Sequence, residues 1–269
     1  MQSIVNKNYK KLVLKISLTG FSYIIVDTLT DKVILVREVS FAEYPNPYLT
    51  VECYKTAFKK HTELNNRYDE VVILHHNQAN AFVPEELYDE QFPESYLQYN
   101  VKVFLSDMYL QDYLSKYQLY NVYVPYVVIN NFLEQKFSRL KHIHQSSILV
   151  EKILELPRQN DKPEMFVHFD KDSFQIVVTE NHKLIFYNSF LFNTKEDFAY
   201  YLLFTVEQLG LNPEEFELNL LGHVGRQGEL FQIAYTYIRH IKLLDVSHLY
   251  TINELDENDN LTFFTLVQA

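Results

Sequence analysis

Two carboxylates, Asp170 and Asp172, stand on either side of Lys171 in the run His168-Phe-Asp-Lys-Asp-Ser-Phe. Side chains two apart share one face of an extended strand, so His168, Asp170 and Asp172 form a candidate cluster of hard ligands. Ligands of that kind suit a divalent cation, and a cation held beside approachable backbone amides is the chemistry of phosphoryl transfer. Gly20 in Ser17-Leu-Thr-Gly-Phe-Ser, and Gly222 and Gly225 in Leu220-Leu-Gly-His-Val-Gly, are points where a backbone could come close to a phosphate. His142 and His144 alternate as His168 and Asp170 do. The plainer reading makes the glycines ordinary turn residues and the aspartates a solvated turn. Gly20 has no Asp in its loop, and Asp170 and Asp172 have no Gly in theirs. With no cysteine partner and no His-Glu-x-x-His helix, no resident metal is expected.

Other chemistries find less support. There is no Gly-x-Ser-x-Gly elbow and no Walker or Rossmann glycine pattern. Cys53 adjoins Tyr54 on a helical apolar face and reads as structural. No catalytic residue is assigned. Tyr109, Tyr113, Tyr117, Tyr120, Tyr123 and Tyr126 crowd one segment, which reads first as core between two lobes and second as a binding surface.

These residues need elements to hold them. Lys11–Leu18, Phe21–Asp27 and Val33–Val39 alternate as three strands joined by short turns, an antiparallel meander. Val51–Leu64 has a helical apolar face of Val51, Tyr54, Ala57, Phe58 and His61. Val71–Leu74 is a buried strand. Further strands are predicted at Ala81–Val83, Lys102–Leu105, Tyr120–Val124 and Leu140–Ile143. Pro84-Glu85-Glu86 reads as a helix start, Asp107–Tyr117 as a short helix or loop, and Val127–Phe137 as a helix. Ser146 opens a helix running to Leu156. Beyond the polar linker Arg158–Pro163 come strands at Met165–Asp170, Phe174–Thr179 and Leu184–Phe190. A helix capped by Thr194, with Asp197 at its third position, runs to Leu209. Leu218–Leu221 and Ile241–Leu244 are strands around a helix over Glu229–Arg239. Asn253–Asn260 reads as an acidic loop and Leu261–Val267 as a last strand.

The order repeats: meander, helix, strand. Phe21-Ser-Tyr-Ile-Ile-Val lies over Phe174-Gln-Ile-Val-Val-Thr, and Lys32-Val-Ile-Leu over Lys183-Leu-Ile-Phe. The helix at Val51 lies over that at Lys195, and Val71-Val-Ile-Leu over Leu218-Asn-Leu-Leu. The fold expected is α/β, in two lobes of one topology, residues 1–158 and 159–269.

This order is that of the actin-like ATPase superfamily, with its ribonuclease H-like lobes. The runs Tyr187-Asn-Ser-Phe-Leu-Phe-Asn-Thr-Lys-Glu-Asp-Phe-Ala-Tyr-Tyr-Leu-Leu, Leu221-Gly and Asn121-Val-Tyr-Val-Pro resemble a bacterial family carried as a domain of unknown function. The resemblance covers nearly the whole chain and implies a degenerate actin-like fold. It also implies where a nucleotide would sit: a phosphate loop at the first hairpin of each lobe, each pairing an Asp with glycines, and a glycine pair near the base. Neither hairpin here has both parts, and Gly222 and Gly225 are a partial match.

Composition sets the remaining bounds. The 269 residues carry 47% hydrophobic side chains and a net charge of −11, a globular composition that repels phosphate backbones. No nucleic-acid partner is therefore expected. Lys7–Lys15 and Lys136–His144 are local basic stretches, read as solvated faces. No apolar run approaches the roughly 18–20 residues of a membrane span, and the first residues lack a signal-peptide core. A cytosolic location follows as an expectation. The leading functional reading is a non-enzymatic protein-interaction or scaffold module without a cofactor. The alternative is a nucleotide-binding protein, a weak ATPase or kinase using ATP and Mg²⁺ through Gly20, Asp170, Asp172, Gly222 and Gly225. Self-association as a structural protein is a third.

Overall fold

The computed structural model describes residues 7–41, 47–99, 101–102, 104, 107–157 and 162–269. The chain divides into two compact units. Unit 1 comprises residues 1–148, 252–254 and 265–269; unit 2 comprises 149–251 and 255–264.

In unit 1 the meander is β1 (Lys10–Ile16), β2 (Gly20–Asp27) and β3 (Lys32–Ser40). With β4 (Glu70–His75) and β8 (Lys141–His144) it forms a five-stranded sheet of order β3-β2-β1-β4-β8. The meander is antiparallel, and β1, β4 and β8 run parallel. Helices α1 (Pro47–Lys60) and α2 (Val127–Lys136) pack beside each other. Leu12, Leu14 and Ile16 sit in the core with Tyr23, Tyr54, Phe58 and Phe132. The alternation in β1 thus selects the face that the helices cover. Val13 is buried as well, as a central strand covered on both sides requires.

Unit 2 repeats the plan. Strands β9 (Glu164–Phe169), β10 (Ser173–Glu180), β11 (Lys183–Leu191), β12 (Glu217–Gly222) and β13 (His240–Leu243) give the order β11-β10-β9-β12-β13. Helix α4 (Lys195–Gln208) follows the meander, and α5 (Glu229–Tyr237) lies between β12 and β13. Thr194 and Asp197 close both halves of a capping box at the start of α4. The match extends to detail. The second and third strands have 8 and 9 residues in both units, and the helix after them has 14. Both second strands carry a register shift after their sixth residue, at Ile25/Val26 and Val178/Thr179. Phe21 and Phe174 are each the second residue of their strands.

Unit 1 has an insertion that unit 2 lacks. Between β4 and α2 lies a separate antiparallel sheet of order β5-β7-β6, made of β5 (Asn80–Pro84), β6 (Leu110–Leu114) and β7 (Leu119–Tyr123). Helix α3 (Gln145–Glu155) follows β8 directly.

Several elements depart from the sequence reading. The segment read as helix or loop at Asp107–Tyr117 holds strand β6 and a 3₁₀ turn at Ser115–Tyr117. The helix start at Pro84 makes a 3₁₀ turn, Glu85–Leu87. The last strand is replaced by α7 (Glu257–Thr262) and α8 (Phe264–Val267), preceded by α6 (Ser247–Asn253). Asp256 caps α7 by accepting the Asp259 N–H, so part of the expected acidic loop is helical. Of the strand read at Lys102–Leu105, Val103 and Leu105 lie outside the described residues and Lys102 and Phe104 belong to no strand; of the linker read at Arg158–Pro163, residues 158–161 lie outside them. No helix among the described residues is long and apolar enough to cross a membrane.

Candidate functional site

In sheets of this kind ligands gather at the carboxyl ends of the parallel strands. In unit 1 the first such end is the β1–β2 hairpin, and it is closed from within. The Ser17 N–H and hydroxyl both donate to the Gly20 carbonyl, at 3.0 and 2.9 Å. The Tyr54 hydroxyl, rising from α1, lies within donating distance of the Ser17 carbonyl (2.9 Å) and the Gly20 carbonyl (3.0 Å), and accepts the Ser17 N–H at 3.1 Å. Burial of Tyr54 raises its pKa well above the ordinary phenol value, so it stays a neutral donor. Gly20 has φ +154°, and a Cβ there would meet the Val39 carbonyl oxygen at 2.2 Å. Close passage of β3 therefore accounts for this glycine without a ligand.

Four of the five residues singled out in the sequence lie in unit 2. Strand β9 ends at Phe169, and the Asp170 N–H donates to the Ser173 carbonyl at 2.8 Å, closing a tight turn over Lys171 and Asp172. The alternation His168, Asp170, Asp172 is broken by that turn. His168 and Asp170 stay together, with Nδ1 and Oδ2 3.5 Å apart and both side chains buried. Asp172 is half-buried, and its carbonyl accepts the Phe192 N–H. Gly222 lies opposite Phe169, where a Cβ would meet the Phe169 carbonyl oxygen at 2.1 Å, and its φ is +88°. The strand ends thus set Gly222 against Phe169, the residue before Asp170. Gly225 stands in an exposed loop, with nothing within 4 Å of a Cβ. Gly20 belongs to the other unit.

One buried polar cluster was missed in the sequence. It joins the inserted sheet to the β8–α3 corner of unit 1. Asp112 on β6 accepts the His144 N–H (2.7 Å) and the Ser147 hydroxyl. Asn121 on β7 donates to Ser147 Oγ (2.8 Å) and accepts from Asn80 Nδ2 (3.0 Å). Asn80, Asn121, His144 and Ser147 are buried. A carboxylate at the start of α3 is favoured by the helix dipole and by its free N–H groups. Beside it, His75 Nε2 and His142 Nδ1 approach to 3.2 Å. Burial holds the His75 imidazole down at about 3, with the neighbouring His142 adding to the shift. Burial also lowers His142, and lowers His144 further still. These rings are neutral hydrogen-bonding groups at neutral pH. Among the described residues no three His, Cys, Asp or Glu side chains converge to hold a metal ion.

The inserted sheet also carries a surface. Tyr113, Tyr120, Tyr88 and Tyr96 form a stack, with ring centroids 4.6, 3.9 and 5.8 Å apart in turn. Leu87 is 70% exposed, Phe92 55% and Tyr113 45%. Exposed Glu85, Glu86, Asp89, Glu90 and Glu94 surround them. The crowded tyrosines of the sequence therefore divide: Tyr123 is core, packed against His75 and His144, while Tyr113 and Tyr120 serve this stack.

The two matching units define the actin-like ATPase fold. A protein of that fold and of unknown function from Bacteroides thetaiotaomicron superposes with a TM-score of 0.81 at 22% identity, covering 100% of this chain and 99% of that one. The chain belongs to the family described as "protein of unknown function (DUF3822)", whose model matches residues 2–241. The structure of the PilM–PilN type IV pilus biogenesis complex is also similar, with a TM-score of 0.62, 12% identity, and 96% of each chain covered. No curated protein matches the chain.

Proposed function

We propose that this protein is a non-enzymatic, cytosolic protein-interaction module that keeps the actin-like scaffold without its nucleotide chemistry. The observation that carries the proposal is the inserted sheet, with its exposed aromatic stack and acidic border. Tyrosines in such a setting combine apolar area with a polar tip, and exposed apolar patches of this kind mark contact surfaces. The border favours a partner segment bearing Lys or Arg, which can also lie over the tyrosine faces. The closed hairpins support the same reading. Tyr54 and Ser17 take up the polar groups of one, and the turn at Asp170–Ser173 offers the other no glycine amides. A protein of the same fold is found in the PilM–PilN complex, a likeness of fold alone.

One observation favours a second reading, nucleotide binding. Gly222 pairs with Phe169, next to Asp170, at the strand ends of unit 2, and on this reading a metal-bound phosphate would be held there with ATP and Mg²⁺.

The interaction is tested by capture of partners on the immobilised full chain and on Tyr113→Ala/Leu87→Ala. Both side chains are exposed, so the variant is expected to melt with the wild type. A protein bound by the wild type and bound at least tenfold more weakly by the variant is expected, the size of an aromatic hot spot. A chain that remains a monomer with no partner, or a partner held equally by both, would count against the proposal.

A further inference from the structure

The edge of the unit 1 sheet where β4 and β8 begin holds a cavity of about 420 Å³. It lies at the opposite ends of these strands from the buried polar cluster, and nothing in the proposed function uses it. Arg67, Lys136 and Arg139 line it, with Asp69 as the single carboxylate among the lining residues. Three cations and one anion gather on a chain whose net charge is −11. The anion is already engaged. Its two oxygens accept the backbone N–H groups of Asn8 (3.1 Å) and Tyr9 (2.6 Å). Among the described residues, neither guanidinium group nor the Lys136 ammonium has a carboxylate within 4.0 Å. The Lys136 ammonium instead lies 6.0 Å from the centre of the Phe132 ring.

Cations that outnumber the carboxylates beside them repel one another, and a bound anion relieves that repulsion. Guanidinium forks match the oxygens of a phosphate, and an ammonium adds a point charge. Tyr68 and Phe137 give the cavity an aromatic wall for an organic group, and its size suits a small molecule. We propose that this cavity binds the phosphate group of a small phosphorylated ligand, with Arg67 and Arg139 as the forks and Lys136 as the point charge. The basic stretch around Lys136 then serves a site that the fold completes by bringing in Arg67 from a distant part of the chain.

Calorimetric titration of the full chain with inorganic phosphate and with pyrophosphate, at constant ionic strength set by chloride, tests the site. Saturable one-to-one binding is expected, tighter for pyrophosphate. It should weaken about tenfold or more in Arg67→Ala and in Arg139→Ala, the worth of a charge-assisted hydrogen bond pair. Replacing both arginines by lysine keeps the charge and should recover part of the affinity. Arg226→Ala, on an exposed loop of unit 2, should change nothing. Both arginines are exposed, so circular dichroism should match the wild type; if either variant unfolds, Lys136→Ala carries the same test. Absence of saturation, an equal loss in Arg226→Ala, or full recovery with lysine would overturn the proposal.

Discussion

Unit 1 and unit 2 share a sheet order, the lengths of four of their five strands and a register shift, yet they part at the connection after the fourth strand. In unit 2, β12 passes to α5 through residues 223–228. In unit 1, β4 passes to α2 through residues 76–126, and that connection carries a three-stranded sheet. The strand ends differ accordingly. Those of unit 2 keep Asp170, His168 and Gly222. Those of unit 1 are covered by groups from the insertion, and Asp112 supplies at the start of α3 the negative charge that a bound anion supplies at many helix N-termini. The tyrosine that seals the unit 1 hairpin is likewise particular to that unit. Tyr54 is the eighth residue of α1, and the eighth residue of α4 is Leu202, which has no hydroxyl to offer a turn. The two units thus differ at their strand ends and in the surface that the inserted sheet provides.

The largest expected effect falls on the backbone of unit 2. Gly222→Ala combines a positive φ with a contact of 2.1 Å to a carbonyl oxygen, and should destabilise by about 4 kcal/mol or more in urea unfolding. Gly225→Ala, in open space, should stay within about 0.5 kcal/mol. Equal effects would mean that Gly222 is not held by packing against Phe169.

Acid should strike unit 1 first. The folded His75 imidazole resists protonation down to about pH 3, while the unfolded chain takes up that proton near pH 6.5. The unfolded state therefore binds more protons in this window. Stability is complete above about pH 6.5 and falls as the pH drops toward 3, by about 3 kcal/mol between 6.5 and 4. Hydrogen exchange at pH 4.5 should show β4 and β8 opening before β9 and β12, and His75→Gln should flatten the dependence. Simultaneous opening of both sheets with no change in the variant would break the contrast between the units.

A smaller effect separates the two hairpins. Tyr54→Phe should cost about 1–3 kcal/mol, because the Ser17 and Gly20 backbone groups lose a buried partner. Its chemical-shift changes should centre on Ser17–Gly20 and leave the Asp170–Ser173 turn unmoved.

The repeated scaffold was legible in the sequence because its signals are local. Alternation marks β1 and β2, and Thr194 with Asp197 marks the start of α4. Strand β6 was not, since Gln111 and Asp112 make Leu110–Leu114 look too polar. Its alternation becomes visible once Leu114 is seen to be buried. Leu261–Val267 reads as a strand because a short apolar run has no decisive period. The buried Leu261, Phe264 and Thr265 follow helical spacing, and the cap at Asp256 lies outside the run. The polar cluster was illegible for another reason: Asp112 and Ser147 are distant in sequence, and only the fold joins them. The same holds for Tyr54, which looked like one more apolar-face residue. Asp170 and Gly222 were legible as chemistry, but that Gly222 faces Phe169, next to Asp170, depends on the pairing of β9 with β12.

On our proposal the actin-like strand ends hold no nucleotide. Thermal denaturation of the full chain with and without Mg-ATP tests it most directly. No displacement of the midpoint is expected at millimolar Mg-ATP. A stabilisation approaching about 2.7 kcal/mol, as given by a ligand at 100 times its dissociation constant, and lost in Asp172→Ala or Asp170→Asn, would contradict it.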